Sequence, residues 1–198
     1  MNRVFFLYRL PQRLLLPGVV LILCILHLGS CRPSARKQTN AAWDTVTCAY
    51  FTVCTPVALR QDPYAEARQP QEVKQNLAAC DYRTGQTADG RFQVVTNVMA
   101  YRPGIVCSLA HAAEGAAQGM AHAADVTGFT FTQRDTTVTG RPAVIQQCRW
   151  KEGRRDCAAK SLIAAEGPTL WQFIVIYAPG KEEAADADRL LKSVRLAR

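Results

Sequence analysis

The sequence lacks the short patterns that mark the common classes of enzyme. It contains no Gly-x-Ser-x-Gly, no His-Glu-x-x-His, no glycine-rich phosphate loop and no spaced pair of carboxylates. It also has no Cys-x-x-Cys pair, which argues against a structural zinc site and against a thioredoxin-type redox centre. Each common reaction class is missing its minimum apparatus, so we expect no catalytic residues, no metal and no cofactor.

A strong excess of one charge is missing as well. The formal charge of +8 includes three arginines near the N-terminus, and the chain after residue 30 carries +5, from 21 basic and 16 acidic residues. Such mixed charge makes nucleic acid an improbable partner. The sequence shows no internal repeat, and the part after residue 42 has the size of one domain with a substantial core. We therefore predict a single domain over residues 43–198.

The N-terminal segment has the organisation of a secretory signal. Three arginines, at positions 3, 9 and 13, precede an apolar run over residues 14–28 that is short for a membrane span. Residues 28–31, Leu-Gly-Ser-Cys, resemble the lipobox of bacterial lipoproteins, in which the cysteine receives a lipid. The resemblance predicts a signal peptide over residues 1–30 and lipidation of Cys31. Ordinary secretion and an uncleaved membrane anchor remain as alternatives.

The lipobox implies a place in the cell. A lipidated tether over residues 31–42 would hold the domain on a membrane of the bacterial envelope, facing the periplasm. Arg32 follows the cysteine where an aspartate would favour the inner membrane, so the resemblance favours the outer membrane. The membrane, reached through the N-terminal lipid, is therefore the first expected partner.

Six cysteines remain after residue 31, an even number for an oxidising compartment, and they allow up to three disulfides in 15 pairings. If Glu152 and Gly153 form a two-residue hairpin loop, Cys148 faces Cys157 in a non-hydrogen-bonded position, with Cα atoms about 4.5 Å apart. A disulfide can close that distance. We predict this bridge, and we name Cys54–Cys80 and Cys48–Cys107 as further candidate pairs.

Alternating apolar residues predict strands over residues 49–54, 79–84, 91–101, 129–132 and 170–177, and a hairpin over residues 143–150 and 154–165. A helix is expected from Pro103 to about residue 124, a closing helix over residues 182–192, and a helical turn around residues 71–77. The first helix carries a polar stripe that we interpret as a solvated face, because its two histidines are about 16 Å apart. The stripe consists of His111, Glu114, Gln118, His122 and Asp125.

The order of these segments resembles the PsbP-like fold, an α/β/α sandwich shared by photosystem extrinsic proteins and by bacterial lipoproteins of the DcrB type. The resemblance rests on residues 50–56, 138–143, 170–175 and 187–196. It implies a central antiparallel sheet of about six strands covered by helices on both faces. It also implies a binding or accessory role, and it supplies no catalytic residues.

We therefore expect a non-enzymatic envelope lipoprotein that binds an unidentified envelope protein. An immunity protein that neutralises a secreted toxin and a thiol-dependent periplasmic enzyme are the alternatives. Contact residues are expected on two segments rich in arginine and aromatic side chains, the loop over residues 56–78 and the hairpin tip at 150–155. Those residues are Arg60, Tyr64 and Arg68 in the loop, and Trp150, Lys151, Arg154 and Arg155 at the tip.

Overall fold

A seven-stranded antiparallel sheet organises the chain. The structure is a computed structural model that describes residues 42–67 and 69–197. The predicted signal segment, Cys31, Arg32 and Arg68 lie outside the described residues. Within them, no helix is long and apolar enough to cross a membrane.

The strands of the main sheet follow the order β3, β4, β5, β9, β8, β7, β6. Their bounds are β3 Arg60–Gln61, β4 Leu77–Gln86, β5 Phe92–Tyr101, β6 Val126–Val138, β7 Arg141–Glu152, β8 Arg155–Glu166 and β9 Thr169–Tyr177. A smaller sheet contains β1 Asp44–Thr47, β2 Phe51–Thr55 and β10 Arg195–Leu196, in the order β1, β2, β10. The helices are α1 Gln71–Asn76, α2 Leu109–Ala121 and α3 Lys181–Ser193.

Helix α2 covers what we call the first face of the main sheet. Its small side chains let it lie close to the sheet, and seven of its residues, all alanine, glycine or methionine, are buried. Met99, Ile163, Leu170 and Ile174 belong to the core beneath it. Ser108 caps the helix by accepting a hydrogen bond from the backbone N–H of His111.

The second face of the main sheet is covered by α3 and the smaller sheet. Phe51 of β2 packs edge-on against Phe173 of β9, with ring centroids 5.0 Å apart. From β8, Lys160 reaches α3, where its Nζ lies 2.7 Å from a carboxylate oxygen of Asp188. This core also contains Val94, Val98 and Leu190. Apolar residues on both sides of β9 are therefore buried, as the sequence predicted.

The predicted fold class is confirmed, with seven main strands where about six were expected. Two boundaries were wrong: β6 has 13 residues where four were predicted, and α2 begins at Leu109 and not at Pro103. The predicted loop contains α1 where a helical turn was expected, and it also contains β3, which was not expected. All five residues of the predicted polar stripe are exposed, which agrees with its interpretation as a solvated face, although His122 and Asp125 lie beyond the end of α2.

The predicted register of the β7–β8 hairpin is also wrong. Its turn lies at Gly153-Arg154, one residue later than expected, because Gly153 takes the φ of +60° that the first central position of a type II′ turn requires. Cys148 consequently faces Ala159, and Cys157 faces Trp150. The two thiols are diagonal neighbours, at a Cα separation of roughly 7–8 Å that a disulfide does not span. Both are present as thiols.

The other two candidate disulfides join opposite faces of the main sheet. Cys80 and Cys107 pack in the core of the first face. Cys48 packs against the core of the second face, and Cys54 lies in β2, which covers that face. A bridge between Cys54 and Cys80, or between Cys48 and Cys107, would have to pass through the sheet, so neither pair can form in this fold.

Candidate binding surface

Two of the predicted loop residues, Arg60 and Tyr64, are exposed at one edge of the main sheet. Arg60 lies on β3, the edge strand, and Tyr64 is 70% exposed in the turn that follows. The backbone N–H of Tyr64 donates to the Asp62 carboxylate at 2.9 Å, and Ala65 is buried in the core. The Tyr64 side chain is therefore exposed to solvent on a loop that is held by this hydrogen bond and by the buried Ala65.

At the predicted hairpin tip the charged side chains are exposed, but the aromatic side chain is buried. Lys151, Arg154 and Arg155 are exposed, whereas Trp150 points into the first-face core and is only 8% exposed. The structure thus corrects the assignment of Trp150 as a contact residue. Arg155 reaches the turn between β4 and β5, where it donates to the carbonyl of Gly90 at 3.5 Å.

The loop and the tip do not form one surface. β3 and β8 are separated by β4, β5 and β9, so the two segments are roughly 20 Å apart at the usual strand spacing. A partner contacting both would have to reach across the width of the sheet.

The structure shows a third surface that continues from the tip. α3 and the smaller sheet pack against the part of the second face near β9, and the part on β6 and the outer half of β7 is left open. Paired residues share a face, which places Thr130 beside Arg149 and Thr132 beside Gln147 on this open part. We call it the basic face; its residues, all exposed, are Thr127, Thr130, Thr132, Arg134, Gln147, Arg149 and Lys151.

The charge of the basic face is of one sign. The acidic residues of β6 and β7, Asp135 and Glu152, alternate onto the first face of the sheet. The second face also carries Asp156, whose Oδ1 lies 3.9 Å from the Lys151 Nζ, with both side chains about two-thirds exposed. Such an exposed pair contributes little. Three cations among threonine and glutamine side chains therefore face solvent.

The sequence contained a signal for this surface that our prediction did not use. Residues 130, 132 and 134 alternate with the period of a strand, as do residues 147, 149 and 151. Ending the predicted strand at residue 132 excluded Arg134. The alternation shows that each set of side chains lies on one face. It does not show that this part of the sheet is uncovered, because that depends on where α3 packs.

Three of the six described thiols are poorly suited to nucleophilic chemistry. Burial raises the pKa of Cys107 to about 11 and that of Cys148 to about 12, and burial also raises the pKa of Cys157. These three thiols stay protonated at neutral pH, and a thiol reacts as its thiolate. No group of three potential metal ligands occurs among the described residues.

A shallow hollow of about 540 Å³ lies along α3, lined by Ala185, Asp188, Arg189, Lys192 and Ser193. Three of its polar side chains already make contacts within the domain. Asp188 pairs with Lys160, Arg189 lies over the ring of Trp43 at 4.1 Å, and the Ser193 hydroxyl accepts from the Cys54 backbone N–H at 2.8 Å. We assign this hollow no ligand.

A solved structure shares this arrangement of sheet and helices. The chain superposes on cyanobacterial PsbP (CyanoP) from Synechocystis with a TM-score of 0.56, at 10% identity, over 83% of this chain and 98% of that one. The chain has a PsbP-like fold. A weaker likeness, with a TM-score of 0.43 at 14% identity, links it to LpqN, involved in cell envelope biogenesis of Mycobacterium tuberculosis, over 79% and 91% of the two chains. No protein-family model and no curated protein matches the sequence.

At 10% identity, the PsbP-like fold places strands and helices but no functional residues. On this chain's own surface, the basic face presents three uncovered cations.

Proposed function

We propose that the chain is a lipid-anchored protein of the bacterial cell envelope that binds a protein partner and performs no catalysis. The basic face carries this proposal. Together with Arg154 at the adjoining tip it offers four cations on one continuous surface, and it suits an acidic protein surface. Arginine, which supplies three of these four cations, is enriched at protein interfaces.

The anchoring part of the proposal rests on the N-terminal sequence. The lipobox-like residues 28–31 and Arg32 support lipidation at Cys31 and sorting to the outer membrane, with the domain facing the periplasm. A single acyl chain holds a protein to a membrane only marginally, and stable residence needs more than one. A lipoprotein of the DcrB type with a PsbP-like domain fits both the fold and this segment.

The non-enzymatic part rests on the side chains of the domain. The three buried thiols whose pKa values are raised are not poised as nucleophiles. His111 and His122 stand on the solvated stripe of α2, and the His122 ring nitrogen Nδ1 lies 2.8 Å from the carbonyl of its own helix at Gln118. A thiol-dependent enzyme is therefore the weaker candidate.

One experiment with two readouts tests the proposal. Labelled palmitate should enter the wild-type chain in cells and should not enter Cys31→Ala. In parallel, the wild-type chain should capture a partner from envelope extracts, and the charge reversal Arg149→Glu with Arg154→Glu should reduce that capture at least tenfold. Loss of two charged contacts of about 1 kcal/mol each, with added repulsion, accounts for this factor.

The matched control is Arg60→Glu with Lys74→Glu, which makes the same change of charge at the other edge of the sheet. This control should retain the partner if the basic face is the contact. Equal palmitate labelling of wild type and Cys31→Ala would contradict the anchor. Equal capture by the Arg149/Arg154 variant and wild type would contradict the proposed surface, and turnover of a substrate by the purified chain would contradict the non-enzymatic role.

A further inference from the structure

We propose that the partner contributes an extended acidic segment that pairs with β6 as an eighth strand of the main sheet. This inference rests on the proposed function, because it names the way in which the partner is held. β6 is the last strand of the sheet, and residues 130–135 are all exposed. The opposite edge is β3, a strand of only two residues. Short edges are protected against pairing, and long open edges accept another strand.

The turn after β6 determines which backbone N–H and C=O groups of β6 can bond to an added strand. Thr139 and Gly140 have φ values of +51° and +80°, as in a type I′ turn of two residues. Val138 and Arg141 flank this turn, so they exchange backbone hydrogen bonds, and the pairs alternate from there. Over residues 130–138, which we call the regular part of β6, even-numbered residues bond to β7 and odd-numbered residues direct their N–H and C=O outward. The outward residues are Phe131, Gln133, Asp135 and Thr137.

A β-bulge sets one end of this docking edge. The register with β7 shifts between Thr127 and Thr130, where Gly128 has a φ of +61°. Pairing is continuous from Thr130 to Val138, which is nine residues. An added strand of about this length can use all four outward positions.

The side chains of β6 specify what the added strand carries on each face. On the first face it would lie beside Phe131, which is 46% exposed and stands 6.1 Å from the ring of Phe129. On the second face it would lie beside Thr130, Thr132 and Arg134, with Arg149 on the next strand. Cross-strand neighbours of opposite charge are favourable. The fitting segment is therefore apolar toward Phe131 and acidic toward Arg134.

A second copy of the same chain fits this edge poorly. Antiparallel pairing of β6 with its own copy continues the sheet around a two-fold axis, so the basic faces of both copies lie on one side. Arg134, in the middle of the regular part, would meet the cations of the other copy. Like charges across strands are destabilising, and a charge in mid-edge is a recognised protection against self-pairing.

The test uses a nine-residue peptide in which valine and glutamate alternate, and a control peptide with lysine in place of glutamate. The full chain in detergent should bind the glutamate peptide at least tenfold more tightly than the lysine peptide. Gln133→Pro removes one outward N–H without removing a backbone hydrogen bond to β7, although the side-chain bond from Gln146 is lost, and it should weaken binding at least tenfold. Gln133→Ala, which loses the same side chain but keeps the N–H, should bind as wild type.

Hydrogen exchange gives a second readout that charge alone would not produce. Bound peptide should protect the amides of Phe131, Gln133 and Asp135 and leave the exchange of the Thr132 and Arg134 amides unchanged. The proposal is overturned if the glutamate peptide does not bind, if Gln133→Pro binds it as Gln133→Ala does, or if protection does not alternate. None of these results would affect the capture of the envelope partner by the wild-type chain. Failure of strand pairing is therefore distinct from failure of the proposed function.

Discussion

Single residues in the first-face core decide how the chain responds to alkaline pH. Cys148 is 2% exposed, and burial raises its pKa from about 9 to about 12. Burial also raises the pKa of Tyr101 to about 12. Above pH 9 the unfolded chain loses these protons while the folded chain keeps them. Stability therefore falls as the pH rises from about 9 toward 12, and these groups contribute no such loss at lower pH.

We predict that the free energy of unfolding decreases above pH 9, with Cys148 contributing about 1 kcal/mol per pH unit. Cys148→Ala should be less stable than wild type at neutral pH, because it leaves a cavity, but its stability should fall less steeply between pH 9.5 and 11. Denaturant unfolding under reducing conditions measures both slopes. Parallel slopes for the two proteins would contradict the burial of this thiol.

Among single residues, the sequence predicted the two faces of β9 correctly and the pairing of Cys148 with Cys157 wrongly. Alternation correctly placed Trp171 and Phe173 on one side of β9 and Leu170 and Ile174 on the other, because burial on both faces imposes that pattern. The Cys148–Cys157 pair depended on a turn position, and a shift of one residue separated the two thiols. Both Glu152-Gly153 and Gly153-Arg154 contain the glycine, so composition alone did not distinguish them.

At the scale of elements, the segment before β3 is held against β4 by a glycine. A Cβ at Gly85 would lie 2.5 Å from the Ala58 carbonyl oxygen and 3.0 Å from a methyl group of Val57. Val57 is buried in the second-face core, so the segment cannot simply move outward. The close approach of these two stretches of backbone requires a residue without a side chain.

We predict that Gly85→Ala destabilises the fold by about 1–3 kcal/mol, the usual cost of overpacking a well-filled site. Thr84→Ala, at the neighbouring position of the same strand on the opposite face, is the matched control and should change stability by less. Urea denaturation of the two variants measures the difference. If Gly85→Ala were as stable as wild type, segment 56–59 would not lie against β4 as described.

Element boundaries were harder to predict than the presence of elements. The period-2 signal of β6 is clear around Phe129 and Phe131, but residues 132–137 are threonine, glutamine and charged residues that also suit a loop. Its pairing with β7 makes it a strand. For α2, Pro103 was a plausible start, yet Ser108 supplies the cap and the helix begins six residues later.

For the whole molecule, the order of strands and helices was sufficient to predict a sheet covered on both faces and its likeness to the PsbP-like fold. The basic face was not predictable in the same way. It exists because α3 packs over β8 and β9, while the smaller sheet meets β6 at the turn that ends this strand, where the Leu196 N–H donates to the Thr139 hydroxyl at 3.0 Å. Which strands a helix leaves uncovered is decided by tertiary packing. The two predicted contact segments, by contrast, were chosen by composition, and the fold separates them.

The most direct test of the central claim, binding through the basic face, is crosslinking at defined residues in the living cell. A photo-crosslinking amino acid at Thr132 places the probe on the basic face, and one at Gln118 places it on the exposed side of α2 as the matched control. We predict that the Thr132 probe gives a discrete product with one envelope protein, and that the Gln118 probe does not. A partner crosslinked from Gln118, with none from Thr132, would contradict this account.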